Sequence, residues 1–229
     1  MSPHSDSEGA QGQPVVHLVD ARVHGRYLLR LPATPQPWPL IIGFHGYGED
    51  ASDHLQELAR IPGTDRWLLV AVQALHPFYT RNDQRVVASW MTRIDREHAI
   101  ADNVAYVGRV LHDVRRRHAT MPPLVFCGFS QGGAMAYRAA AHYPADGLIV
   151  LAADVPPDIA AGPTAPLPAT LIGRGARDDW YTEAKQESDR QALHALGVRP
   201  EFCVFDEGHV WAQPFRQAAA GMLERLLSE

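Results

Sequence analysis

Chemistry in this chain is concentrated around position 130. Gly128-Phe129-Ser130-Gln131-Gly132 spells G-x-S-x-G, a pattern that gains meaning between a strand and a helix. A short apolar run, Leu124 to Gly128, precedes it, and a small-residue stretch, Gln131 to His142, follows with helical character. In that setting the serine sits on a tight, strained turn. Its hydroxyl projects at the start of the helix, where the dipole favours developing negative charge. The glycines on either side leave room for strand and helix to cross.

A serine hydroxyl is a poor nucleophile without a base. Beyond residue 142 the histidines are His194 and His209. His194 falls within an expected helix. His209 follows the last expected strand in Phe205-Asp206-Glu207-Gly208-His209, a loop at a strand's carboxyl end, and is the candidate base. A partner acid belongs between serine and histidine in chain order. Asp178 and Asp179, after the preceding strand, compete with Asp154 and Asp206. Acyl transfer also needs donors for a developing oxyanion. The Gln131 N–H is one candidate, and the Tyr47 N–H in His45-Gly46-Tyr47-Gly48 is the other. A phosphate cradle is the alternative for that glycine loop, and the absence of G-x-x-x-x-G-K-[ST] disfavours it.

These groups need a scaffold that brings strand ends together. Leu40 to Phe44, Trp67 to Val72 and Leu124 to Gly128 read as buried strands, the first as one buried on both faces, and Leu148 to Ala152, Thr170 to Gly173 and Phe202 to Phe205 as further strands. Helices are expected from Asp53 to about Ala59 with Ser52 as cap, from Asp95 to His118, from Gln131 to His142, from Glu183 to Leu196 and from about Pro214 to Leu227. Val15 to Leu31 reads as a hairpin turning at His24-Gly25, and Gln73 to Thr92 as a long loop. Alternation of this kind implies an α/β architecture, a mostly parallel sheet with helices on both faces and antiparallel strands at one edge. Sites in such sheets lie at the strands' carboxyl ends. Residues 1–14 read as a disordered tail and 15–229 as one domain. The Pro/Ala-rich stretch from Asp154 to Pro168 is too short for a cap domain.

Composition closes off other classes. The chain has 229 residues, 46% hydrophobic, with a formal charge of −5; that disfavours both a disordered chain and a nucleic-acid binder. Two cysteines, Cys127 and Cys203, make neither a disulfide framework nor a zinc ribbon. Twelve histidines show no H-x-H or H-E-x-x-H spacing. No apolar run is long enough to span a bilayer, and residues 1–14 lack the apolar core of a signal peptide, so a cytoplasmic setting is expected. Arg115-Arg116-Arg117 closes an expected helix, where cations complement the dipole.

HGYGED, GFSQGG and the late EGH resemble the phospholipase/carboxylesterase family of α/β-hydrolases, from about residue 38 to the end. The resemblance implies an α/β-hydrolase fold without a cap. It assigns the nucleophile to Ser130, the base to His209 and the oxyanion donors to Tyr47 and Gln131. It places the acid on Asp178, within Arg174-Gly175-Ala176-Arg177-Asp178-Asp179; Arg174 stands where the family has histidine and Asp179 where it has proline. Ser89-Trp90-Met91-Thr92 matches the family's S-W loop, which puts Trp90 beside the acyl pocket. His45, Trp90 and Trp180 are the expected substrate-side residues. The expected activity is hydrolysis of a small carboxylic ester or thioester, with no metal or organic cofactor, no nucleic acid and no membrane insertion. Lysophospholipase and acyl-protein thioesterase are the alternatives, with a peptidase or a non-catalytic binding protein ranked below them. A homodimer is compatible with the sequence.

Overall fold

Runs of β-branched and aliphatic residues build the sheet. The computed structural model describes residues 14–228, so the tail expected over residues 1–14 lies outside them except for Pro14. Seven strands form one sheet: β1 (Tyr27–Arg30), β2 (Trp38–Phe44), β3 (Leu68–Val72), β6 (Thr120–Phe129), β7 (Gly147–Leu151), β8 (Ala169–Gly175) and β9 (Glu201–Phe205). Their order is β1-β3-β2-β6-β7-β8-β9. All neighbours are parallel except β1, which runs antiparallel to β3. Every residue of β2, β3 and β7 is buried, as a sheet covered on both faces requires.

Six helices cover it: α1 (Ala51–Ala59), α2 (Arg96–Arg117), α3 (Gln131–His142), the four-residue α4 (Pro157–Ala160), α5 (Glu183–Ala195) and α6 (Gln213–Ser228). On β7, Gly147 faces Met222 and Leu226 of α6, while Val150 faces Gly133 of α3. Residues of opposite parity point to opposite faces, so α6 and α3 lie on opposite sides of the sheet. The first side also holds α1, whose Glu57 pairs with Arg216 of α6 and whose His54 ring meets Trp211 edge-on at 5.8 Å. On the other side α2 packs against α3. It buries Val104, Val107, Val110, Leu111 and Val114.

Three expectations change. The N-terminal antiparallel element is the single strand β1, seated on the free edge of β3, and residues 14–26 add no second strand. That stretch is held instead by Tyr106, whose hydroxyl donates to the Arg26 carbonyl at 2.6 Å. The expected loop from Gln73 to Thr92 contains a hairpin, β4 (His76–Tyr79) and β5 (Val86–Ser89). Its polar turn is closed by Thr80 N–H donating to the Arg85 carbonyl at 2.9 Å. Finally, α1 is capped by Asp50 rather than Ser52. The Asp50 carboxylate accepts from Ser52 and Asp53 N–H, and Asp53 returns the contact to the Asp50 N–H, a reciprocal capping box.

The chain leaves β2 for β3 on one side and returns to β6 on the other. This reversal opens a crevice at the carboxyl ends of β2 and β6, where such sheets place ligands. Ser130 follows β6, His45 to Gly48 follow β2, Asp178 follows β8 and His209 follows β9.

Candidate active site

Ser130 links β6 to α3 in a conformation that L residues avoid, with φ 53° and ψ −124°. The surrounding backbone enforces it. The Ser130 N–H donates to the Leu151 carbonyl at 2.9 Å, and the Gly133 N–H donates back to the Ser130 carbonyl at 2.8 Å. The two flanking glycines are required by close approach. A Cβ on Gly128 would stand 2.2 Å from the Gly132 carbonyl oxygen, and one on Gly132 would stand 2.1 Å from the Phe44 carbonyl oxygen. Gly132 thus presses the elbow directly onto the end of β2, where the Tyr47 loop begins.

His209 lies against the neighbour of Ser130, its ring centroid 5.0 Å from that of Phe129. Its Nδ1 is 2.9 Å from Asp178 Oδ2. An ionised carboxylate only accepts, so Nδ1 carries the proton and Nε2 keeps its lone pair. The Asp178 side chain is fully buried and the His209 side chain is 31% exposed. The other carboxylate oxygen, Oδ1, accepts the N–H groups of Trp180 at 2.8 Å and Tyr181 at 2.9 Å. Three donors therefore surround the carboxylate and fix its aim. Of the other candidate acids, Asp154 pairs with Lys185 and Asp206 with Arg177.

The Tyr181 turn is itself anchored. The Tyr181 hydroxyl donates to Asp189 Oδ2 at 2.8 Å, and the Val155 N–H donates to Asp189 Oδ1 at 3.0 Å. Burial pushes the Asp189 carboxyl up to about 6, against the pull of these two hydrogen bonds. Burial also pushes the Tyr181 phenol far up, so it remains a donor.

The N–H groups of Tyr47 and Gln131 meet no acceptor among the described residues, while the backbone beside them is tied down. The Gly48 N–H donates to the Ala88 carbonyl at 3.1 Å, and the Glu49 N–H to the Gly46 carbonyl at 3.3 Å. His45 locks the loop from beneath. Ala74 N–H donates to its Nε2 at 3.1 Å, so Nδ1 carries the proton and donates to the Gly46 carbonyl at 2.7 Å. Burial holds the imidazole below its ordinary range, consistent with that neutral ring.

Two expected substrate-side residues are out of a substrate's reach. His45 and Trp90 are both completely buried. Trp90 must satisfy its indole N–H, and it does so on the His45 carbonyl at 2.8 Å. Both side chains brace the His45–Gly48 loop rather than line a pocket. Trp180 is 67% exposed, with Lys185 over its ring at 5.2 Å. Tyr47, 63% exposed, stacks on Phe78 at 5.4 Å.

The Gln131 side chain makes contacts at this candidate site that sequence reading missed. Its Oε1 accepts the Trp90 N–H at 2.8 Å and the Ser89 hydroxyl at 3.2 Å, and its Nε2 donates to the Met91 carbonyl at 2.9 Å. Asp189 carries no sequence signal, because its partners lie 8 and 34 residues away. Glu49 had a faint one, its position three residues after Gly46, whose N–H donates to Glu49 Oε2 at 2.7 Å.

The seven-stranded sheet, its helices on both faces and a serine elbow after β6 define the α/β-hydrolase fold. Comparison with solved structures places the chain in that fold. Esterase PE8 superposes with a TM-score of 0.72 at 21% identity, over 89% of this chain and 100% of that one. A Bacillus cereus carboxylesterase superposes at 0.70 and 15% identity, over 88% and 94%. Zea mays acyl-protein thioesterase 2 superposes at 0.67 and 19% identity, over 89% and 100%. No protein-family model matches the sequence, and no curated protein does. Among the described residues, no helix is long and apolar enough to cross a membrane.

Proposed function

We propose that this chain is a serine hydrolase, a single domain over residues 15–229, that cleaves carboxylic esters or thioesters through an acyl-enzyme. The observation that carries this reading is the strained Ser130 set beside two backbone N–H groups without acceptors, those of Gln131 and Tyr47. The His209–Asp178 hydrogen bond supplies the base such a serine needs. The names of the fold neighbours, two esterases and a thioesterase, support the same chemistry.

The mechanism follows from the tautomer. His209 Nε2 takes the Ser130 proton while the hydroxyl oxygen attacks the acyl carbon. Negative charge gathers on the former carbonyl oxygen, and the Tyr47 and Gln131 N–H groups receive it. Such preorganised donors contribute roughly 10²–10³-fold each. Asp178 stabilises the imidazolium formed in the same step. His209 then returns its proton to the leaving alcohol or thiol, and water repeats the sequence to free the acid. The steps call on no metal or organic cofactor.

Between β7 and β8 the described residues form only the four-residue α4, so no inserted segment of domain size follows β7 there. Short or accessible acyl groups fit this openness. Two free thiols, with Cys127 buried, suit a reducing, cytoplasmic setting. A fluorophosphonate probe should label the wild type and fail on Ser130→Ala, which should also lose p-nitrophenyl ester hydrolysis. A Ser130→Ala protein with full activity refutes the reading. An optimum at long acyl chains refutes the open-site part of it. A matched thioester series separates the thioesterase reading, which the Zea mays neighbour favours.

A further inference from the structure

The oxyanion loop holds one charged group that the mechanism above does not use. Glu49 is fixed to β5 by its backbone, because Ala88 N–H donates to the Glu49 carbonyl at 2.9 Å and Gly48 N–H donates to the Ala88 carbonyl at 3.1 Å. From that anchor the side chain turns back, and Oε2 accepts the Gly46 N–H at 2.7 Å. Gly46 is thereby taken, and the next N–H along the chain, that of Tyr47, is the one left open. The carboxylate also lies on the side of the loop that meets Phe129. A Cβ built on Gly46 would be 3.1 Å from Glu49 Oε2 and 3.0 Å from Phe129 Cδ1, and the Phe129 ring touches His209.

We propose that Glu49 is a positioning residue of this site: its carboxylate holds the Gly46 N–H so that the Tyr47 N–H faces the substrate oxygen, and its charge bears on His209. The inference rests on the serine-hydrolase reading. A carboxylate near a developing oxyanion is unfavourable in itself. It is offset where the same step creates an imidazolium, and Glu49 approaches that ring by way of Phe129, whereas Asp178 hydrogen-bonds its Nδ1.

The electrostatic surroundings are asymmetric. From α1, Asp53 and Glu57 face Glu49. Arg85 of the β4–β5 hairpin pairs with Asp53 and with Asp50, and Arg216 of α6 pairs with Glu57. The loop after β9 contributes His209, with Asp178 behind it. Burial pushes the Glu49 carboxyl above its ordinary range, the Gly46 hydrogen bond opposes this, and the His209 charge also lowers it. A carboxylate so placed lends its charge to the surroundings of the base.

The test compares Glu49→Ala and Glu49→Gln with the wild type in p-nitrophenyl acetate hydrolysis from pH 5 to 9. The alanine frees the Gly46 N–H, so kcat should fall by at least about tenfold with KM changed by less than about threefold, the signature of a lost transition-state interaction. The glutamine amide oxygen can still accept that N–H, so it should recover most of the lost kcat. Without the carboxylate charge, the acid limb of kcat/KM should move to lower pH by about half a unit. A wild-type kcat in the alanine variant, a loss confined to KM, or an unmoved acid limb in the glutamine variant overturns the proposal. If the alanine variant fails to fold, the glutamine pH profile decides alone. Fluorophosphonate labelling separates the two levels. An unlabelled wild type removes the hydrolase reading and this inference with it, whereas labelled proteins with indistinguishable kinetics overturn the Glu49 assignment only.

Discussion

Asp189 is the residue through which pH should act on the stability of the candidate site. Its carboxylate accepts the Tyr181 hydroxyl and the Val155 N–H, yet burial raises it from 3.8 to about 6. The folded state therefore binds this proton more tightly than the unfolded chain does. Stability from this group is fully present below about pH 4 and is lost as pH rises toward 6. A displacement of about two pH units corresponds to about 3 kcal/mol at neutral pH. Asp189→Asn removes that dependence. The amide oxygen can serve one of the two donors and leaves the other unpaired, a cost of about 1–3 kcal/mol at every pH. The variant should thus be the less stable protein at pH 4 and should close the gap, or overtake the wild type, by pH 7.5. For a chain of this size 1 kcal/mol moves Tm by about 2–4 °C. The Tm difference should therefore swing by about 5–10 °C in favour of the variant across that interval. Thermal unfolding followed by circular dichroism at matched pH values measures it directly. A Tm difference that stays constant, or that widens against the variant as pH rises, refutes the reasoning.

Asp178→Asn should lower kcat by about 10⁴-fold, because an amide can hold the wrong imidazole tautomer. Asp179→Asn and Asp154→Asn should stay within a few fold of wild type, and steady-state kinetics on one ester distinguishes the three. Gly132→Ala drives a Cβ into the Phe44 and His45 carbonyl oxygens, backbone atoms that cannot swing away. It should cost about 1–3 kcal/mol and displace the oxyanion loop. The expected result is a lower Tm together with a kcat loss larger than any change in KM.

The sequence made the α/β alternation legible because the central strands are buried on both faces and read as unbroken apolar runs. Gln131 to His142 was recovered to the residue, since Ser130 and its glycines mark the start. Signals failed where tertiary contacts overrule local pattern. Val15 to Leu31 has the alternation of a hairpin, but the free edge of β3 accepts only Tyr27–Arg30. The β4–β5 hairpin was hidden by Pro77 and by the polar run from Thr80 to Arg85. In the candidate site, loop chemistry and chain order named Ser130, His209, Tyr47 and Gln131, and the fold sets their loops after β6, β9 and β2 at one end of the sheet. The four-way choice of acid was not legible, because neighbouring aspartates are alike until the fold aims one of them at Nδ1. His45 and Trp90 were placed in the right loops with the wrong surroundings, since sequence position carries no depth.

One residue ties the serine turn to the loop after β5. The backbone N–H of Gln131 is a donor proposed for the oxyanion, and its side-chain amide grips Ser89, Trp90 and Met91. The loop after β5 therefore cannot be exchanged independently of the elbow. A graft of residues 86–94 from a fold relative would lose the grip unless its own backbone repeats the carbonyl at 91 and the N–H at 90. Substitutions in loops that Gln131 does not hold, such as the turn around Trp180 and the rim at Tyr47 and Phe78, leave that grip untouched.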